Sequence, residues 1–188
     1  MRRKELRVWE TVSKKTILQQ GKFLTVESHT VKLPDGRIIP DWAWLIAPDA
    51  AIVLAVTDEN KFLCFRQTKY AIAGTSLAPV GGMLEPGETP LDAAKRELLE
   101  EMGCQAAEWV HLGSSILDPN RGIATMHLFL ALHAKRVAVP HSDDLEEQEL
   151  MLLNRDELEN ALQAGEFKVL AWSAVVAMAL NYLIKAAY

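Results

Sequence analysis

Glu97, Glu100 and Glu101 are spaced i, i+3, i+4, so a helix carries their three carboxylates on one side. Like charges at those spacings weaken an isolated helix by about a few tenths of a kcal/mol per pair. The cluster therefore calls for a partner that offsets the repulsion. A divalent cation suits it: Mg²⁺ takes carboxylate oxygens and keeps its other positions for water and substrate phosphates. The ordinary alternative for such a run is a solvated, charge-rich helix face. Loop glycines, Arg96 and a fourth carboxylate, Glu88, in register with the cluster weigh against it.

The elements that must position these residues are legible nearby. Thr89 is the expected N-cap, and Pro90 takes the first helical position, where its missing N–H does no harm. Asp92 gives a Thr-x-x-Asp variant of the capping box. Leu91, Ala94, Leu98 and Met102 mark the apolar face, and Gly103 is a suitable stop. Gly81, Gly82, Pro86 and Gly87 require a tight loop before the helix.

Gly82, Glu88, Arg96-Glu97-Leu98, Glu100-Glu101 and Gly103 resemble the Nudix box at every fixed position. Its last position, usually aliphatic, holds Cys104, which still fills an apolar site. The resemblance implies that Glu97, Glu100 and Glu101 bind metal together with the backbone carbonyl of Gly81. Mg²⁺ is the implied cofactor, with Mn²⁺ as a substitute. Arg96 would orient the carboxylates, together with Glu88, while Gly82, Glu88 and Gly103 shape the box. Many relatives carry a glutamate four residues before the box glycine; here that position is Ala78, so the likeness implies that a substrate or outer-shell contact is missing.

Composition frames the rest. The chain of 188 residues suits one domain with attached structure, and the net charge of −5 argues against a binder of duplex nucleic acid. Cys64 and Cys104 sit in apolar or boxed segments and are expected as reduced, buried thiols. No apolar core follows the basic Met1–Lys4, so no secretory signal is expected. The late apolar stretch Val169–Ile184 is too short and interrupted for a membrane span. A cytoplasmic protein is the resulting expectation.

Along the chain, residues 1–15 read as a loosely held lead-in. Strands are expected over Thr16–Gln20 and Phe23–Leu33, with a hairpin turn at Leu33–Arg37. Trp42 and Trp44 then share one face of a strand. The apolar run Ala50–Thr57 predicts a strand buried on both faces, and Lys61–Gln67 its antiparallel partner. Ala124–Ala134 predicts another strand, in which His127 and His133, six apart, share a face as packed or edge histidines. A short helix from Asp156 to Ala164 and a long one from Trp172 to Ala187 close the chain.

The first 47 residues resemble the small N-terminal sheet of ADP-ribose and nucleotide-sugar pyrophosphatases of the Nudix superfamily. That likeness implies an α+β chain: an N-terminal antiparallel β-sheet over 1–47 that dimerises and contacts the base, then a Nudix α/β/α sandwich with a mixed central sheet over 48–188. Trp42 and Trp44 are candidates to stack on a nucleotide base, with packing or dimer contact as the alternative. Lys69 or Arg66 would touch the diphosphate, and Arg121, in the loop after Pro119, a phosphate or the ribose. A late acidic loop would supply the base that activates water; register favours Glu146, with Asp144 and Glu147 as alternatives.

The implied activity is Mg-dependent hydrolysis of the pyrophosphate bond in ADP-ribose or a nucleoside diphosphate sugar, by a homodimer. Alternatives are a hydrolase of dinucleoside polyphosphates or other nucleoside-diphosphate-X compounds, and a non-catalytic domain that senses nucleotide sugars.

Overall fold

The computed structural model describes residues 6–141 and 147–186, and the chain divides into two units. The first unit comprises Met1–Pro48 and Ile116–Thr125; the second comprises Asp49–Ser115 and Met126–Tyr188.

The second unit is organised by β4, Ala50–Thr57, whose interior residues are all buried. Its alternation divides the core. Ala51, Val53 and Ala55 pack with Ala93, Ala94, Leu98 and Met102 of helix α1, Pro90–Met102. Ile52, Leu54 and Val56 pack instead with Leu158 and Ala161 of α2, Arg155–Gln163, and with Val175, Val176 and Ala179 of α3, Leu170–Lys185. A strand apolar on both faces thus separates one helix from two, as the expected sandwich requires.

The sheet runs β11-β5-β4-β10-β8, formed by Gln148–Leu153, Phe62–Gln67, Ala50–Thr57, Thr125–Arg136 and Cys104–Gln105. β10 lies parallel to β4, whereas β5 is antiparallel to it, so the sheet is mixed. Three further strands join it: β6, Ser76–Ala78, on β5; β7, Val80–Met83, on β4; and β9, Glu108–Ile116, on β10. Cys64 and Cys104 are both buried and unbridged.

The first unit contains a three-stranded antiparallel meander: β1, Glu10–Gln20, β2, Leu24–Lys32, and β3, Ile38–Ile46. The segment expected as a loose lead-in is partly strand: β1 begins at Glu10 rather than Thr16, since Glu10 pairs with Lys32. All of β1 is solvent-exposed, so it carries no burial pattern from which its start could be read. Loop 116–125 belongs with this unit and hydrogen-bonds along β3, Leu45 donating to the Arg121 carbonyl at 2.9 Å and Ala47 to that of Ile123 at 2.8 Å.

His133 corrects another expectation. It has φ 58°, and β10 slips register between Leu132 and Ala134. Phe129, Ala131 and then Ala134 face α1, so the bulge removes His133 from the alternation that would have matched it to His127.

Candidate active site

Helix α1 begins as its sequence dictates. The Thr89 hydroxyl accepts from the Asp92 N–H at 3.2 Å, and Pro90 fills the first turn. The return bond of the capping box is altered: the Asp92 carboxylate accepts from the Thr89 hydroxyl, at 2.7 Å. Gly103 ends the helix in the left-handed region, at φ 63°.

Arg96 is the hub of the box. Its guanidinium donates to both Glu88 oxygens at 2.9 and 3.0 Å, to Glu97 at 2.7 Å, to Glu100 at 3.1 Å and to the Met83 carbonyl at 3.1 Å. The fork to Glu88 pushes the Arg96 pKa further upward, despite the opposing effect of burial, with Glu97 and Glu100 adding to the rise. Arg96 in turn holds the Glu88 carboxyl below the usual glutamate range. Three carboxylates share one guanidinium, so the cluster retains net negative charge.

Glu97 is buried, at 8% exposure. It fits there because Gly82 has no side chain: a Cβ on Gly82 would lie 2.1 Å from Glu97 Oε1. At Gly81 the constraint is the backbone itself, since a Cβ would lie 2.3 Å from the Ala51 carbonyl oxygen. The two glycines let β7 run close beside β4 while leaving a cradle for the Glu97 carboxylate. Glu101 is half-buried and Glu100 exposed. Among the described residues no three His, Cys, Asp or Glu side chains converge as a ligand set; Glu97 and Glu100 are drawn instead onto Arg96. The donors at this edge are all hard oxygens, in a cradle that a methyl group would fill. Their chemistry suits a hard divalent cation.

Among the other sequence-derived candidates in this unit, Arg66 is engaged with Glu166 at 2.6 Å. Lys69 is half-buried in the loop after β5, its carbonyl accepting from Ile72. Glu146 and Asp144 lie outside the described residues. Glu147 is exposed, and its carbonyl accepts from the Thr68 N–H at 3.4 Å, which ties the end of the acidic loop to the Thr68–Lys69 turn.

In the first unit Trp42 and Trp44 are half-buried and differ in environment. Trp44 stacks on His29 with ring centroids 5.3 Å apart and planes at 18°. A Cβ on Gly122 would lie 2.1 Å from the Trp44 ring. Trp42 donates its indole N–H to the Asn120 carbonyl at 2.7 Å and meets Trp9 edge-on at 5.1 Å. It borders two recesses, one of about 450 Å³ shared with Trp9, His29 and Trp44, the other of about 300 Å³ shared with Arg121. Arg121 is held by Asp118 at 2.8 Å.

Sequence reasoning missed the Met83 carbonyl as an Arg96 acceptor, because a backbone group carries no residue-type signal. It also missed Trp9 and His29, assigned to no site. A polar chain on β9 and β10 went unread as well: His111 Nε2 lies 3.0 Å from the Ser114 hydroxyl, which lies 2.8 Å from His127 Nδ1. The i, i+3 spacing of His111 and Ser114, with Gly113 at φ 148° between them in β9, gives no hint of it.

Comparison with known proteins accords with this arrangement. The family model for the NUDIX domain matches residues 47–173. The model for the nucleoside diphosphate sugar hydrolase N-terminal domain matches residues 9–45. An ADP-ribose pyrophosphatase of Bacillus subtilis (strain 168) is 30% identical over 174 residues, covering 93% of this chain and 91% of the relative. A methanol dehydrogenase activator of Bacillus methanolicus is 30% identical over 165 residues, 87% of this chain and 86% of the relative. A solved structure described as an ADP compounds hydrolase superposes with a TM-score of 0.80 over 97% of this chain and 98% of that one. At 18% identity that likeness speaks for the fold alone. The buried glutamate against Gly82, the arginine hub and these matches lead to one assignment: the chain belongs to the NUDIX family, as a hydrolase with a nucleoside diphosphate sugar hydrolase N-terminal domain ahead of its NUDIX domain.

Proposed function

We propose that this hydrolase cleaves the pyrophosphate bond of ADP-ribose or a nucleoside diphosphate sugar, releasing a nucleoside monophosphate and a sugar phosphate, with Mg²⁺ as the metal. The observation that carries the reading is the buried Glu97 carboxylate seated in the Gly82 cradle and fixed by Arg96. Hydrolases of this family generally use divalent metal ions. Glu97, Glu100, Glu101 and the Gly81 carbonyl would hold the metal. When bound, it neutralises phosphoryl charge and lowers the pKa of water.

The protein's own groups do the rest. Arg96 orients Glu97 and Glu100, with Glu88 anchoring the guanidinium from the loop. Glu146 takes the proton of the attacking water, or Glu147 or Asp144 does so in its place. Lys69 would take the diphosphate, with Arg66, whose Nη2 donates to Glu166, as the alternative. Trp42, bordering two recesses, is the better platform for the base; Arg121, lining one of them, would reach phosphate or ribose.

The chain acts as a homodimer in this reading. Val12, Ile17 and Leu18 are each at least half exposed on β1, an edge strand that another copy would cover. Two unbridged buried thiols suit a reducing compartment, in keeping with a cytoplasmic setting.

The test is a panel of ADP-ribose, nucleoside diphosphate sugars and dinucleoside polyphosphates with Mg²⁺, scored by phosphate release after phosphatase coupling. ADP-ribose or one nucleotide sugar should dominate in kcat/KM. Preference for a dinucleoside polyphosphate would overturn the substrate assignment.

A further inference from the structure

The second unit contains a cavity of about 430 Å³ that the hydrolytic reading does not use. It lies at the far end of β4. Ala51 pairs with Gly82 of the box, whereas the cavity is lined by Val56 and Thr57. At about 3.3 Å per residue the two places are roughly 17 Å apart along the strand.

Three observations single the cavity out. The first is backbone. Asn60 (φ 56°) and His133 (φ 58°) are the non-glycine residues with positive φ among those described, and both line it. A left-handed residue other than glycine costs about 1–2 kcal/mol, less for Asn and His, which tolerate the region best. Each is held there locally. Asn60 donates to the Thr57 carbonyl at 3.1 Å, closing the β4–β5 turn. His133 sits on the β10 bulge with Nδ1 2.8 Å from Asp58.

The second observation is an orphan. Nη2 of Arg155, which also lines the cavity, is shut off from solvent and has no hydrogen-bond partner among the described residues. Such a group asks for an acceptor. Glu159 lies 3.6 Å from Nε.

The third is the balance of charge and apolar surface. Among the described residues Asp58 is the one carboxylate lining the cavity, and it is matched by Lys135 at 2.9 Å and by His133. Phe62, Leu132 and Leu183 form apolar walls. A ligand here meets one incompletely paired guanidinium, polar groups on one side and hydrocarbon on the other. The volume is in the range of small-molecule sites.

We propose that this cavity is a binding site for a small amphipathic monocarboxylate. Its two oxygens accept from the Arg155 guanidinium, and its aliphatic or aromatic body lies against Phe62, Leu132 and Leu183. A dianion is disfavoured, because Glu159 stands beside the guanidinium and Asp58 also lines the cavity.

Thermal unfolding of the full chain with benzoate or hexanoate tests the site, with benzamide and inorganic phosphate as controls. Both carboxylates should raise Tm, by roughly 3 °C at ten times Kd, and benzamide should not. Arg155→Gln should abolish the rise while hydrolysing the nucleotide substrate at the wild-type rate. Backbone amide NMR shifts at Asn60 and His133 on benzoate addition locate the site independently of that variant. The proposal is overturned by no carboxylate effect, by an equal effect in Arg155→Gln, by an equal effect of benzamide, or by a larger effect of phosphate. None of these outcomes depends on which nucleotide is hydrolysed.

Discussion

The box and the aromatic recess of the first unit solve opposite problems. In the box, charge is concentrated: Glu88, Glu97 and Glu100 converge on Arg96, and the arrangement is useful because it stays net negative. In the recess around Trp9, Trp42 and Trp44 no carboxylate lines the wall among the described residues, and shape and ring faces are what it offers. In the proposed reading one region holds a cation and the other a flat, weakly charged group. Damage to the first should therefore appear in turnover and damage to the second in apparent affinity.

The largest break in that contrast is expected at the helix. Glu100→Gln and Glu101→Gln should each lower kcat by about 10³-fold or more at saturating Mg²⁺, while Tm moves little. Near-normal rates in either variant would remove that residue from the metal site. The two box glycines then divide function from fold. Gly82→Ala collides with the end of the Glu97 side chain, which can swing aside, so turnover should fall about 10–100-fold, as for loss of a ligand-orienting contact, with a folded protein. Gly81→Ala collides with the backbone of Ala51, which cannot move without parting β4 from β7. It should lower the yield of folded protein outright. Circular dichroism beside the rate assay separates the two; equal loss of fold in both would refute the distinction.

How far the sequence reached follows the same contrast. The box was readable because its chemistry needs particular residue types at helical spacing, and Thr89, Pro90 and Gly103 announced where the helix starts and stops. The buried β4 was readable because a run apolar on both faces has few other homes. The first unit was harder. β1 is exposed throughout, so no alternation marks its beginning at Glu10. The two tryptophans look alike in sequence; only His29 and Gly122, brought to Trp44 by strand pairing and by loop 116–125, distinguish them. The bulge at His133 was invisible for a related reason: one extra residue in a strand leaves no compositional trace, yet it reverses every later side chain.

That difference between the tryptophans supplies the next test. Trp42→Ala should raise KM for the nucleotide about tenfold with kcat nearly unchanged, since loss of base stacking costs about 1–3 kcal/mol. Trp44→Ala should instead lower the stability of the first unit, because it removes the surface on which His29 and Gly122 pack. Its signature is a drop in Tm. Should Trp44→Ala raise KM more than Trp42→Ala, without loss of stability, the assignment of packing and stacking roles would be reversed.

The smallest expected effect concerns Glu88, which is forked to Arg96. Arg96 lowers its pKa from the ordinary 4.5. A carboxyl whose folded-state pKa is depressed contributes stability that is fully present above the unfolded value and is lost as pH falls through the folded one. Glu88→Gln should therefore be less stable than the parent at pH 7, and the gap should close progressively below pH 4.5. Urea unfolding of both proteins at neutral and acid pH reads this directly. The absence of a gap at pH 7 would mean that Glu88 supports the loop through the backbone bond to Glu85, which a neutral side chain also accepts, and not through its charge on Arg96.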